Sequence, residues 1–285
     1  MPRTKSMSLI VQKFGGNTLS NPEQIRSVAQ SIKELKAKGN QILVVVSAMG
    51  DTTDDLIDLA YNLSNRPHKR EFDMLISAGE RVSMALLSIA LHEIDCDAIS
   101  FTGSQAGIFT DSSFGQARIV DIKPIRVESE LAKGRVAVLA GFQGVNPETK
   151  EITTLGRGGS DTTAIALAHH FKAKHCEILK DVPGVYSADP KIVSNAKILP
   201  TISFEECRAL TFWGAPFLHL RASELALEKK IPIWIKGAHL QGDGTWIKEV
   251  TTMYEKSEFL SVTTHSHVRS IHFKNREGSE SIQFL

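Results

Sequence analysis

Two stretches of the chain, ILVVVS (Ile42–Ser47) and VAVLAGF (Val136–Phe142), are almost unbroken runs of aliphatic residues. Neither alternates with polar positions, so neither offers a face to water. Strands of this kind belong to parallel sheets covered by helices on both sides. Parallel strands need long crossovers, and the segments between the runs carry a helical period. Asn21, Pro22 and Gln24 stand as N-cap, N1 and N3 of a helix with the apolar stripe Ile25, Val28, Ala29, Ile32 and Leu35, closed by Gly39. LIVQ (Leu9–Gln12) and CEILK (Cys176–Lys180) read as further strands, and a long helical stretch from about Lys69 to His92 sets Val82, Leu86 and Ile89 on one face. The expectation is an α/β fold with helices on both faces of a mainly parallel sheet. Ligands then belong at the carboxyl ends of the strands, where the glycine-rich turns fall.

Length and charge set the outer limits. With 285 residues, 42% hydrophobic and 23% charged, the chain can fill one large domain, or one domain with an appendage. A net charge of +1 leaves no electrostatic footprint for nucleic acid or an anionic membrane. The opening MPRTKSMSLIVQKF has too short an apolar run for a signal segment, and no stretch is expected to span a membrane. Cys96, Cys176 and Cys207 are far apart, which fits reduced thiols in a cytoplasmic protein better than a metal cage. The main globular domain is expected over residues 1–254. Across 255–285 weak alternation in VRSIHF and SIQFL, split by KNREGSE, reads as a β-hairpin tail too short to fold alone. Its open edge suggests pairing with a second copy, hence a homodimer.

Four motifs carry chemistry, the third of them a pair of stretches. LGRGGSDTTA (Leu155–Ala164) sets Arg157 in a glycine-rich turn before a helix whose candidate caps are Ser160 and Asp161. A helix start attracts anions, and arginine offers a planar fork for carboxylate or phosphate. Asp161 opposes that charge, which suggests a site receiving both a phosphate–metal complex and an acidic substrate. VQKFGGNT (Val11–Thr18) places Lys13 at a strand end before Gly15 and Gly16, a phosphate cradle without Walker spacing, though surface lysines also precede glycine turns. VVVSAMGDTTD brings Ser47 to another strand end, and LISAGERVSMAL buries Glu80 in an apolar helix, where it should find a partner such as Arg81. KDVPGVYSADP (Lys180–Pro190) suits a loop that brackets a nucleotide, or a plain connection rich in turn residues.

Taken in order, KFGG, SAMGDTTD, AGER, FTGSQAG, AGFQGV, TTLGRGGSDTTA and DVPGVYSADP resemble the aspartate kinases over about residues 8–250. The resemblance implies the amino-acid-kinase fold, an αβα sandwich on a mainly parallel sheet with a short C-terminal β appendage here. It implies transfer of the γ-phosphoryl group of ATP, with Mg²⁺, to the β-carboxylate of L-aspartate. By position, Lys13 resembles the lysine that neutralises the transferring group, with Gly15, Gly16, Gly159 and Ser160 as its cradle. Arg157 and Glu80 resemble the groups that hold a carboxylate and the ammonium of aspartate, and Ser47 a further contact. Asp161 resembles the acid that organises the lysine and the metal–phosphate complex. Asp181, Tyr186, Asp189 and Lys191 fall where the family holds adenosine. No separate metal-ligating set is implied.

The chain departs from that pattern in places. Asn17-Thr18 follows KFGG where the family has hydroxyl residues, Pro216 replaces a lysine that reaches the ATP phosphates, and Lys180 replaces a small hydroxyl residue. Lys180 is the candidate substitute cation; the alternative is a solvated surface lysine, with Pro216 merely shaping a loop. Only about 30 residues follow the resemblance, enough for a couple of strands of an ACT domain, so no lysine or threonine effector site is expected on this chain alone. The alternatives are a sister kinase of another small carboxylate and a weakly catalytic binding homologue.

Overall fold

The apolar runs do form the centre of the molecule. The structure, a computed structural model, describes residues 8–240, 242–250 and 261–263, with the backbone of 271–272 and 283–284. In chain order the first half comprises β1 (Leu9–Phe14), α1 (Pro22–Ala37), β2 (Gln41–Val46), α2 (Thr52–Leu63), α3 (Lys69–Ile76), α4 (Ala78–Glu93) and β3 (Ala98–Phe101). Next come β4 (Ile108–Thr110), β5 (Ile119–Ile122), α5 (Ile125–Ala132), β6 (Val136–Ala140), β7 (Gln143–Val145) and β8 (Ile152–Thr154). The second half holds α6 (Gly159–His170), β9 (Cys176–Lys180), β10 (Thr201–Ile202), α7 (Phe204–Phe212), α8 (Leu220–Lys229), β11 (Ile233–Gly237) and β12 (Thr245–Ile247). Two short strands, β13 (Ile271–His272) and β14 (Gln283–Phe284), pair antiparallel in the tail, whose expected turn lies outside the described residues.

The main sheet runs β10-β12-β11-β9-β1-β2-β6-β3. From β11 to β3 all neighbours are parallel, and the sheet turns antiparallel between β11 and β12. α1 and α4 cover one face, and α5, α6, α7 and α8 the other, giving two apolar clusters separated by the sheet. This is the mainly parallel αβα sandwich that the sequence implies. A smaller sheet, β5-β4-β7-β8, stands over the carboxyl end of the large one.

The cap of α1 is as expected, with Asn21 Oδ1 accepting the Gln24 N–H at 2.9 Å. Two other expectations need correction. The stretch from Lys69 is two helices, broken at Ser77, whose carbonyl is taken by the Gln143 amide at 2.7 Å. The combined stretch Lys69–Glu93 contains an 18-residue window with a mean hydropathy of 1.5, long and apolar enough to cross a membrane by composition, contrary to the expectation that none would be. Its α4 half instead packs Met84, Leu87 and Leu91 into the core. Val82, Leu86 and Ile89 are 50%, 37% and 64% exposed. The helix carries two interleaved apolar stripes, and periodicity alone does not say which one faces the sheet.

Candidate active site

Four strand ends meet at one edge. The backbone ladder continues past them: Gly15 N–H donates to the Leu179 carbonyl at 3.1 Å, Ser47 N–H to Phe14 at 3.1 Å, and Gly141 N–H to Val46 at 3.1 Å. The turns after β1, β2, β6 and β9 are thereby held side by side, below the start of α6. A cleft of about 1810 Å³ opens there. It is lined by Lys13, Gly16, Ser47, Glu80, Arg157, Gly159, Ser160 and Asp161, so the first, second and third motifs converge.

Lys13 and Asp161 form its floor. Both are buried, and the ammonium lies 2.7 Å from Asp161 Oδ1. The contact is off the line of a hydrogen bond, so this oxygen keeps an unused acceptor position. The expected caps of α6 need correction: Gly158 is the N-cap, at φ +71°, and Ser160 and Asp161 sit in the first turn. No side chain caps the helix, because Asp161 is turned to Lys13 instead. Only glycine fits position 158, since a Cβ there would lie 2.2 Å from His219 Cβ in a left-handed backbone.

Glu80 has no salt bridge among the described residues, against the expectation of a partner. It is 3% exposed; Oε1 accepts the Ala48 N–H at 3.3 Å and Oε2 accepts nothing. Gly79 makes this approach possible, because a Cβ there would meet Ala48 Cβ at 2.7 Å. Burial pushes the Glu80 carboxyl up to about 7, against the pull of its backbone hydrogen bonds and the charge of Lys13. Arg81, its expected neighbour, reaches Gln143 instead. Arg157 is exposed and makes no side-chain hydrogen bond or ion pair among the described residues. An acid missing a cation and an arginine missing an anion thus share one cleft.

The fourth motif lies beside the cleft, not in its lining. Asp181 accepts a hydrogen bond from Asn17 at 2.8 Å, which ties the β9 turn to the first glycine turn. Lys180 donates to the carbonyls of Pro216 at 3.1 Å and Phe217 at 2.9 Å. Tyr186 bridges to Ile198, while Asp189 accepts the Lys191 N–H at 2.9 Å in a local turn. Ser261 donates to the carbonyl of Ser187 at 2.8 Å, so the tail runs along this loop.

Sequence reasoning missed three supporting residues. Asp73, fully buried in α3, accepts the N–H groups of Gly115 (3.0 Å) and Thr154 (2.7 Å) and the Thr154 hydroxyl (2.9 Å). It fixes the end of β8 just before the Arg157 turn, and its burial raises its carboxyl above the usual range. Arg221 donates to the carbonyls of Leu155 and Ala117, both at 2.8 Å, and bolts α8 to the same turn. Phe142 holds φ +68° at the end of β6, with its carbonyl accepting the Leu155 N–H. Neither of the last two has a local sequence signal.

Comparison with known proteins matches residues 8–237 to the pattern described as the amino acid kinase family. The chain is 50% identical over 239 residues to an aspartokinase of Mycobacterium bovis, covering 84% of this chain and 57% of that one. It spans little more than half the length of such relatives. An aspartate kinase structure from Synechocystis superposes with a TM-score of 0.76 at 49% identity, covering 85% of this chain and 40% of the other. E. coli aspartokinase III, solved with aspartate and ADP, gives 0.76 at 26% identity, covering 86% and 65%.

Proposed function

Because the chain belongs to the amino acid kinase family, we propose that it transfers the γ-phosphoryl group of ATP to the β-carboxylate of L-aspartate. A carboxylate oxygen forms the new bond to phosphorus, the bond from phosphorus to the β,γ-bridging oxygen breaks, and ADP leaves with the electron pair. The products are 4-phospho-L-aspartate and ADP. The nucleophile is already ionised, so no general base is needed, and positioning with charge neutralisation carries the reaction.

The observation that carries this reading is the pair of unmet charges. Glu80 Oε2 is a buried acceptor suited to an α-ammonium, and Arg157, unpaired among the described residues, is a fork suited to a carboxylate. Lys13 neutralises the transferring group, with Ser160, Gly159 and the turn at Gly15 and Gly16 around it. Ser47 adds a polar contact at the end of β2. Mg²⁺ enters as the ATP complex, and the unused acceptor on Asp161 suits a metal–phosphate ligand. Asp181, Tyr186, Asp189 and Lys191 provide the adenosine side. Three free, buried thiols support a cytoplasmic setting.

An ADP-release assay with L-aspartate, L-glutamate, N-acetylglutamate and UMP tests the substrate. Aspartate should be preferred, and Arg157→Ala should raise its KM on the order of 10²-fold with little change in melting temperature. Preference for another acceptor sinks the aspartate assignment and leaves the fold. The short β13–β14 pair and the exposed row Val82, Leu86 and Ile89 support a homodimer. Light scattering at high concentration that returns a monomer mass contradicts it.

A further inference from the structure

Lys13 and Lys180 lie on neighbouring strands and point the same way. In the β1–β9 register Lys13 stands beside Ile178, one pleat before Lys180. Val11 and Ile178 pack into the cluster that includes α6, so period-2 alternation sends both lysines toward the start of that helix.

The surroundings of Lys180 orient its ammonium without neutralising it. Its acceptors among the described residues are the carbonyls of Pro216 and Phe217, and it makes no ion pair there. An ammonium has three donors, so one is left over. The acids whose charge reaches it are Asp161 and Asp181. Asp161 is already 2.7 Å from Lys13, and Asp181 is engaged by Asn17. Lys180 thus has two acids near it and, among the described residues, none in direct contact, beside an uncapped helix start. Burial, with Lys13 adding to it, lowers the Lys180 ammonium from the usual lysine range, and the two acids pull the other way. A half-buried cation without a contacting counter-charge is costly, and an arriving anion relieves that cost.

We propose that Lys180 is a second cation for the nucleotide triphosphate, sharing with Lys13 the charge that develops as the phosphoryl group is transferred. This rests on the ATP-dependent kinase reading above and adds a residue to it. The competing role is a strut: Lys180 holding the α7–α8 connection through the same two carbonyls.

The test compares the wild-type chain with Lys180→Gln, which keeps an amide donor without the charge, and Lys180→Arg, which keeps the charge. Steady-state kinetics with ATP and L-aspartate are read beside calorimetric affinities for ATP and AMP. Lys180→Gln should lower kcat about 10²-fold and weaken ATP about tenfold, leaving AMP affinity and the KM for aspartate within about twofold. Lys180→Arg should recover most of kcat. Unchanged kcat and ATP affinity in Lys180→Gln overturn the proposal, as does an equal loss for ATP and AMP that Lys180→Arg shares. A wild-type chain that binds no ATP overturns the kinase reading itself, a result distinct from either.

Discussion

Lys13→Met is expected to reduce turnover on the order of 10³-fold while the KM for aspartate changes little. A fixed cation aimed at developing phosphoryl charge is worth roughly 10²–10³ in rate, and here it sits in a floor closed to water, where the interaction is least screened. The same change should lower stability. Asp161 is 6% exposed and would keep its charge without the ammonium 2.7 Å away, a loss of about 3–5 kcal/mol for a broken buried pair. The two consequences separate in Lys13→Met/Asp161→Asn. Urea unfolding should find much of the stability restored, because neither charge remains, whereas ADP release stays at the level of the single variant. Recovery of turnover in the double variant would show that Lys13 acted only as the counter-ion of Asp161.

What was legible in the chain and what was not divide along a physical line. The strands β2, β6 and β9 and the capped start of α1 were readable because their causes are local: unbroken aliphatic runs, and an Asn-Pro pair whose Asn side chain accepts the N3 N–H. The glycine turns could be placed at strand ends for the same reason. The break at Ser77 was not, since it depends on a Gln143 amide brought in from β7. Nor was the capping of α6. Asp161 has the chemistry of a cap, yet an ammonium from β1 competes for it and wins, leaving Gly158 to start the helix. Glu80 is the most instructive case. Local reasoning demanded a partner for a buried acid. The fold supplies one weak backbone donor and leaves an oxygen bare, a shortfall tolerated at a site that an external cation completes.

Glu80→Gln should abolish two pH dependences at once. The carboxyl sits near 4.5 in the unfolded chain and is pushed up to about 7 by burial in the fold. Below about pH 4.5 it is protonated in both states and has no effect on stability. Between there and about pH 7 the unfolded chain releases the proton and the folded one retains it, so folding weakens as pH rises. Above about pH 7 the penalty is constant, on the order of 3 kcal/mol for a displacement of this size. Glutamine carries no proton to lose, so the variant should gain stability relative to wild type at pH 8 over pH 5, as measured by urea midpoints at the two values. Function moves in the opposite sense. An α-ammonium at Glu80 Oε2 needs the ionised carboxylate, so aspartate binding should release a proton, and the wild-type KM should climb toward tenfold per unit as pH falls below about 7. In Glu80→Gln the KM should be higher on the order of 10²-fold and indifferent to pH over the same range, with a smaller effect on kcat. A variant whose KM for aspartate matches wild type at pH 8 would remove Glu80 from the substrate site and leave its buried charge without an explanation in binding.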